Sequence, residues 1–527
     1  MTKSQSTRRP ILYTSDPSNL PFQQVGRHLA YEPTVEQALA DPARKQDLVQ
    51  WIDQLAHHGV TIYAQAVFVQ GRTLLFRSDG YETDERPQHL RFKPMMDAGV
   101  MPLQILLDEC RRRGMRFLGK LRMNDHHLGA APPRTTGPGA VNAPIAPATH
   151  ASGFVRNNTQ WWIKDKPGLM DYRFEPVRQY FLNFADHFLG RFDVDGLLLN
   201  YIRMPPFFPV GEGARHAEVM TAFLAEMRRV VDRHAERKGR PLTLSAMVPA
   251  TLEECTHLGL DVGAWIRQGS LDELCPCDVG YPDFNSPYEQ FGALMRGTRC
   301  RLFPTAIPLL CYHDDVSLLG AAEYRALANN FYGAGADGVC IFNYQYHWAR
   351  RAGRARYPGP PDGYPLALSY FRDLGDPAEC LTRERRYRFH PLWGGPSIRT
   401  GIERNDRIVL ERRAGSQGQY RFRVCEQVTP SVRAMLYFNA QHLRPEDEIE
   451  VALNGQPVED FHRTYHDEGR WKQYGRPLPP HSTVFFPLTS LTGRDNHLGV
   501  RLVKPAEGET EPVIVDELEV IVSPVVS

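Results

Sequence analysis

The stretch DVDGLLLNYIRMPPFF, residues 193–208, states the architecture in short form. A turn at Asp195-Gly196 opens a run of three leucines, 197–199, that stops at the polar Asn200. A leucine run without alternation is the pattern of a strand covered on both faces, which is how a strand of a parallel sheet lies between layers of helix. Its flanks agree. EPVRQYFLNFADHFLGRF precedes it and HAEVMTAFLAEMRRVVDRHAERKG follows it, both with apolar residues at helical spacing.

Moving outward, the same unit recurs. Short apolar runs stand at RRPILYTSD (8–16), VTIYAQAVF (60–68), RFLGKLRMND (116–125), VDGLLLN (194–200) and LTLSAMVP (242–249). LDELCPCD (271–278), RLFPTAIPLL (301–310) and DGVCIFNY (337–344) complete a set of eight. Helical patterns lie between them. PARKQDLVQWIDQLAHHG puts Leu48, Trp51, Ile52 and Leu55 on one stripe and ends at Gly59, and PLQILLDECRRRG carries Leu103, Leu106, Leu107 and Cys110. Eight strand–helix units predict an α/β fold, a (β/α)8 TIM barrel. No Gly-rich phosphate loop follows any strand, which argues against a doubly wound open sheet.

The chain has 527 residues, enough for more than one core. Beyond about residue 380 the pattern changes to short alternating strands: RIVLERR, QYRFRVCE, RAMLYFNA, DEIEVALNG, STVFFPL, NHLGVRLVK and DELEVIV. These predict an antiparallel β-sandwich. The expected division is a barrel over 1–380 and a sandwich over 385–527, with the basic run RERRYR as a solvated linker face at the junction. Residues 128–160, rich in Pro, Gly, Ala and Thr, are expected to form no regular element and to overhang the face where the strands end.

Composition excludes several classes. Net charge is +1, so no global field draws in nucleic acid or an anionic membrane. No apolar run approaches the ~18 residues that span a bilayer, and no apolar segment follows the basic start. The expectation is a cytoplasmic protein, a removed leader being left open. The nine cysteines are scattered and odd in number, which argues against a disulfide framework; Cys275 and Cys277 are expected as buried thiols.

In a barrel the C-terminal ends of all strands meet on one face, so chemistry is sought there. Those ends carry Asp16, Asn124-Asp125-His126-His127, Asn200-Tyr201 with Arg203, Asp278, His313-Asp314-Asp315 and Asn343-Tyr344. The set is rich in carboxylates and amides. Amides and carboxylates grip hydroxyl groups, and two carboxylates about 5–10 Å apart can cleave a glycosidic bond.

YRFEPVRQYFLNFADHFLGRFDVDGLLLNYIRMP, LTLSAMVP, WIRQGSLDELCPCDVGY and GAGADGVCIFNY resemble, in order and spacing, the family-ten-like glycoside hydrolases. The resemblance covers roughly residues 8–350. It implies a (β/α)8 barrel often followed by a β-sandwich, a sugar-polymer or glycoside substrate, and catalytic carboxylates at strand ends. In that family the strand after the Asp-Gly commonly ends in an acid. Here Leu198 and Asn200 stand in the matching places. Three readings of that departure are open: the acid comes from elsewhere, the protein binds sugar without cleaving it, or the residue has been substituted.

The first reading makes Asp125 and Asp278 the catalytic pair, one a general acid and the other nucleophile or base. Arg122, Asn124, His127, Asn200, Tyr201, Arg203, Tyr281, His313, Asn343 and Trp348 are the expected substrate contacts. Arg203 and Arg122 have the fork geometry to clamp an acidic sugar. No cofactor and no metal is expected. The alternatives are a non-catalytic carbohydrate-binding barrel, and a metal-dependent hydrolase built on Asp125, His126, His127, His313 and Asp314. The expected partner is a carbohydrate, with no nucleic acid and no membrane; a homo-oligomer is left open. The sandwich, with Tyr437, Tyr465, Trp471 and Tyr474 but no evident planar triad, is expected to be structural rather than a sugar-binding module.

Overall fold

The computed structural model describes residues 8–14, 34–125, 151–278, 282–308, 318–344, 366–390, 407–467, 472–473, 476–477 and 479–525. Strands and helices alternate through the first two thirds of the chain. β1 (Ile11–Thr14) is followed by α1 (Lys45–His57), β2 (Ile62–Val69) by α2 (Pro102–Arg112) and β3 (Arg116–Arg122) by α3 (Glu175–Arg191). β4 (Gly196–Asn200) leads to α4 (Ala217–Lys238), β5 (Thr243–Pro249) to α5 (Val262–Arg267), and β6 (Glu273–Cys277) to α6 (Glu289–Met295). β7 is one extended segment in two pieces, Arg301–Leu302 and Thr305–Ala306. α7 (Ala321–Gly333), β8 (Val339–Phe342) and a 3-10 turn at Leu366–Phe371 complete the series.

Neighbouring barrel strands pair in parallel in the order β7-β6-β5-β4-β3-β2-β1-β8-β7. The two pieces of β7 close the ring, because Leu302 pairs with Leu274 of β6 while Thr305 pairs with Cys340 of β8. Followed once round from Arg116 through Ile62, Leu12, Cys340 and Thr305, the register returns to β3 eight residues further on, at Asn124. Eight strands with that stagger are a (β/α)8 barrel, as the sequence predicts.

The inward side chains stack in layers. At the N-terminal end the buried Glu273 carboxylate accepts from Arg116 at 2.5 Å, Arg301 at 2.5 Å and Ser245 Oγ at 2.9 Å. Two guanidiniums and a hydroxyl offset the cost of removing that charge from water. Above it lie Leu12, Leu118, Leu198, Cys275, Phe303 and Cys340, a cluster of their own inside the ring. Gly196 opens β4 at φ 150°, and a Cβ there would stand 2.0 Å from the Thr243 carbonyl oxygen, so only glycine fits.

The helices bury one stripe each against the outside of the barrel. Leu48, Trp51, Ile52 and Leu55 of α1 are buried as expected, and α4 ends on Gly239 in the left-handed conformation. α3 approaches so closely that a Cβ on Gly119 would meet the Phe188 ring at 2.5 Å. Among the described residues no helix is long and apolar enough to cross a membrane.

Two antiparallel sheets follow. One runs β9 (Arg385–Phe389), β17 (Val513–Pro524), β12 (Val432–Gln441), β15 (His481–Pro487), β14 (His462–His466), with β10 (Ile408–Leu410) also on β17. The other runs β11 (Gln417–Arg423), β16 (Asp495–Lys504), β13 (Glu448–Leu453). Leu436, Phe438, Val484, Phe486, Leu518 and Val520 of one sheet share a buried core with Tyr420, Phe422, Leu498 and Val500 of the other.

Two local expectations are corrected. The tail of the 128–160 segment holds a short helix, Gly153–Asn157, whose first turn is capped by the Ser152 hydroxyl accepting from Val155 N–H; residues 126–150 lie outside the description. The basic run at the junction is no solvated linker face. Most of it is β9, with Arg385 fully buried and paired to Glu426 at 2.6 Å and Tyr387 donating to the same carboxylate at 2.6 Å. Its burial alternates along the strand, with Arg385, Tyr387 and Phe389 facing inward.

Candidate active site

The C-terminal end of the barrel is floored by a polar layer. β-sheet parity turns Lys120 and Arg122 inward together with Leu118, and the register brings Thr14, Lys120, Met247 and Thr305 to one level, with Asn200, Cys277 and Phe342 just above. The Lys120 ammonium stands 5.1 Å from the centre of the Phe342 ring. Thr14, Lys120, Asn200 and Thr305 are all at most 2% exposed. Asn200 Oδ1 accepts from Ile202 N–H at 3.1 Å and so shapes the turn out of β4. Its Nδ2, like Thr14 Oγ1, has no hydrogen-bond partner among the described residues. A buried donor without a partner is costly, and an orphan at a strand end is a ready contact for an incoming oxygen atom.

Both candidate acids are buried at their strand ends. Asp125 forms an ion pair with Arg122, three residues back on the same strand end, with the two side chains 0% and 3% exposed. A buried carboxylate paired in this way is held in one orientation. Asp278 Oδ2 accepts from the Ser286 hydroxyl at 3.2 Å, and its backbone oxygen accepts from the Cys277 thiol at 3.0 Å. Burial pushes the Tyr288 hydroxyl well up, and the charge of Asp278 adds to that push. Burial likewise pushes the Cys277 thiol up, with Cys340 and Asp278 adding and Thr305 and Lys120 opposing. Cys277 is thus a neutral thiol at neutral pH, not a nucleophile.

The remaining expected contacts divide. The Asn124 amide is used inside the protein: Nδ2 donates to Met170 O at 3.0 Å and Pro206 O at 2.9 Å, and Oδ1 accepts from Met170 N–H at 2.9 Å. It ties the β3 end to two loops. Tyr201 has the opposite parity to Asn200 and packs outside the ring against Trp265 and Phe207, at 5.6 and 5.3 Å between ring centres. That removes it from the mouth. Arg203 is half-buried in the loop after β4 and is engaged within the protein. Asn343 caps β8 in the left-handed conformation, φ 56°, its N–H donating to Thr14 O at 3.3 Å. Phe207, Phe208 and Tyr344 are core residues. His127, Tyr281, His313 and Trp348 lie outside the described residues, as do His126 and Asp314 of the metal alternative. Among the described residues no group of three or more His, Cys, Asp or Glu could hold a metal ion.

No protein-family model matches the chain, and no curated protein matches it in sequence. Similar solved structures include a family 18 N-acetylglucosaminidase from Paenibacillus barengoltzii, 13% identical over 64% of this chain and 95% of that one, with a TM-score of 0.35. An α-L-fucosidase from Paenibacillus thiaminolyticus is 11% identical over 72% of this chain and 51% of its own, TM-score 0.41. The PgaB glycoside hydrolase domain from Bordetella bronchiseptica is 11% identical over 70% and 99%, TM-score 0.40. Likeness at this level assigns neither substrate nor residue, and none of the three places the chain in the family-ten-like group.

Two features of the site went unread in the sequence. Lys120 was legible, since RFLGKLRMND places it two residues before Arg122 and therefore on the same strand face. Ser286 carried no local signal. Its hydroxyl meets Asp278 only because the loop after β6 folds back on the strand end.

Proposed function

We propose that the protein is a glycoside hydrolase acting on an oligo- or polysaccharide, with Asp125 and Asp278 as its two carboxylates. The observation that carries this reading is the burial of both acids at the C-terminal rim of a closed barrel, in unlike surroundings. Asp125 is paired to a guanidinium, whereas the described side-chain bond to Asp278 comes from a hydroxyl. Environments of that kind separate two carboxylates into a charged partner and a proton donor. In this reading Asp125 is the nucleophile or base and Asp278 is the general acid that protonates the leaving oxygen.

The strand order supports the pairing. β3 and β6 are separated by β4 and β5. In a closed ring of eight strands that places their backbones roughly 14 Å apart; both acids lie just past their strand ends, off the inward parity of the strands, so in this reading their side chains turn over the rim to reach the ~5–10 Å that glycosidic cleavage requires. Between them stands the unpartnered Asn200 amide, proposed to bind a substrate hydroxyl, with Arg122 and Lys120 lending positive charge to the floor. The departure from an acidic residue at position 200 is then a binding group, and the acid is supplied by β6.

The test is hydrolysis of a panel of 4-methylumbelliferyl glycosides and plant and bacterial polysaccharides, followed by fluorescence and reducing ends, with and without EDTA. Chelator-insensitive release is expected. Binding of sugars with no release under any condition would favour a carbohydrate-binding barrel. Loss with EDTA and recovery with Zn²⁺ would favour a metal-dependent hydrolase.

A further inference from the structure

An arginine of the C-terminal sandwich reaches the loop beside the proposed active face. Arg423, the last residue of β11, is 4% exposed. Its Nη1 donates to the Ser286 carbonyl at 2.7 Å and to Glu289 at 2.7 Å; Nη2 donates to Glu289 at 3.0 Å and Asp495 at 3.0 Å. The strand edge also grips Asn285. Arg423 N–H donates to Asn285 Oδ1 at 2.9 Å, and Asn285 Nδ2 donates to Arg421 O at 2.9 Å. Asn330 of α7 seals the same seam, donating to Arg423 O at 3.0 Å and accepting from Cys425 N–H at 3.0 Å. Within residues 285–289, Asn285, Ser286 and Glu289 are therefore each tied to the sandwich, while Tyr288 packs against Phe331 of α7 at 5.3 Å between ring centres.

That short turn carries the Asp278 hydrogen bond. Ser286 Oγ lies 3.2 Å from Asp278 Oδ2 and 3.4 Å from Asp283 Oδ2, so Asp278 is the nearer of two carboxylates that can accept its single proton. We propose that Arg423 is a positioning residue for the reaction: by fixing residues 285–289 it holds the Ser286 hydroxyl on Asp278. The sandwich is thereby part of the catalytic apparatus. This rests on the reading of Asp278 as the general acid.

The geometry has the stiffness such a role needs. A planar guanidinium bound to two carboxylates and a carbonyl has little freedom left, and removing it leaves Glu289 and Asp495 without a common partner. Among the described residues, the groups facing Asp278 include Cys277 on its own strand, Ser286, Asp283 and Tyr288 on the loop after β6, and Lys120 across the barrel beyond Cys277. Glu289, Arg423 and Asp495 stand behind Ser286. A hydroxyl donated to a carboxylate favours its charged form, so losing it lets Asp278 keep its proton to higher pH. For a general acid, the alkaline limb of kcat/KM then moves up.

The experiment compares full-length wild type with Ser286→Ala, Arg423→Met, Arg423→Lys, Asp278→Asn and, as a control on an exposed sandwich pair, Arg501→Gln. Turnover of the 4-methylumbelliferyl glycoside that wild type hydrolyses is recorded from pH 4 to 9, below every variant's melting temperature. Ser286→Ala and Arg423→Met are expected to lower kcat about tenfold with KM little changed, and to raise the alkaline limb by roughly half to one pH unit. Arg423→Lys recovers part of the loss and Arg501→Gln behaves as wild type. Hydrogen exchange needs no substrate: Arg423→Met speeds exchange in peptides spanning 282–289 while β6 stays protected. If Asp278→Asn is inactive but Ser286→Ala and Arg423→Met keep wild-type turnover and pH profile, the coupling is wrong and the acid assignment stands. If Asp278→Asn turns over normally, the acid assignment itself fails. Unchanged exchange across 282–289 in Arg423→Met overturns the coupling without reference to either.

Discussion

Asn200 uses one end of its amide to build the turn after β4, and among the described residues its other end is unbonded. The two functions separate by mutation. Asn200→Asp keeps an acceptor for Ile202 N–H but replaces the Nδ2 donor with an oxygen. KM is expected to rise about tenfold, the worth of one lost hydrogen bond to substrate, and initial-rate kinetics measure it; an unchanged KM removes Asn200 from the substrate site. The candidate residues differed in how far sequence disclosed their positions. Asp125 and Asp278 were legible as polar residues ending strands. Asn124 and Tyr201 belong to the same strand ends, but the first spends its amide on Met170 and Pro206 and the second faces the helices. Residue type and strand position did not disclose those uses, because loop closure determines the first and the pleat the second.

At the scale of elements, strand existence was legible because eight apolar runs recur between helical stripes, whereas closure was not. Closure depends on β7 serving two neighbours across Phe303-Pro304, a matter of register. The barrel floor gives a direct stability test. Glu273→Ala removes the buried carboxylate on which the partly exposed Arg116 and Arg301 converge, at a cost of about 1.5–3 kcal/mol. Urea unfolding should show that loss while turnover per folded molecule stays near wild type, since Glu273 lies at the end of the barrel away from the mouth. A loss of turnover without a loss of stability would contradict the layering. In the sandwich, burial pushes the Glu517 carboxyl up to about 7, with Asp516 and Glu519 adding and Arg388 and Asn439 opposing. The native state keeps that proton to higher pH than the unfolded chain does. Its contribution to stability is whole below the ordinary value of 4.5 and is lost as pH rises through about 7. Glu517→Gln should match wild type in melting temperature at pH 4 and exceed it at pH 8; equal melting at both would refute the shift.

Across the whole molecule the barrel and sandwich are joined by polar side chains that each need the other unit. Asn285, Asn329 and Asn330 of the barrel bond to backbone or side chains of 387–425, and Arg325 donates to Glu384 O at 2.9 Å. Separation would strand these buried groups, so calorimetry of the full chain is expected to show one cooperative transition, and two well-resolved transitions would contradict the account. None of these seam contacts was legible, because each joins residues about 60 to 140 positions apart. The proposed function requires two strand ends of one barrel to supply the two acids of a glycosidic cleavage. Its most direct measurement is kcat/KM of Asp125→Asn and Asp278→Asn against wild type on the same glycoside, at a temperature where all three are folded. The account expects each variant to fall at least roughly a thousandfold; near wild-type turnover in either one would contradict it.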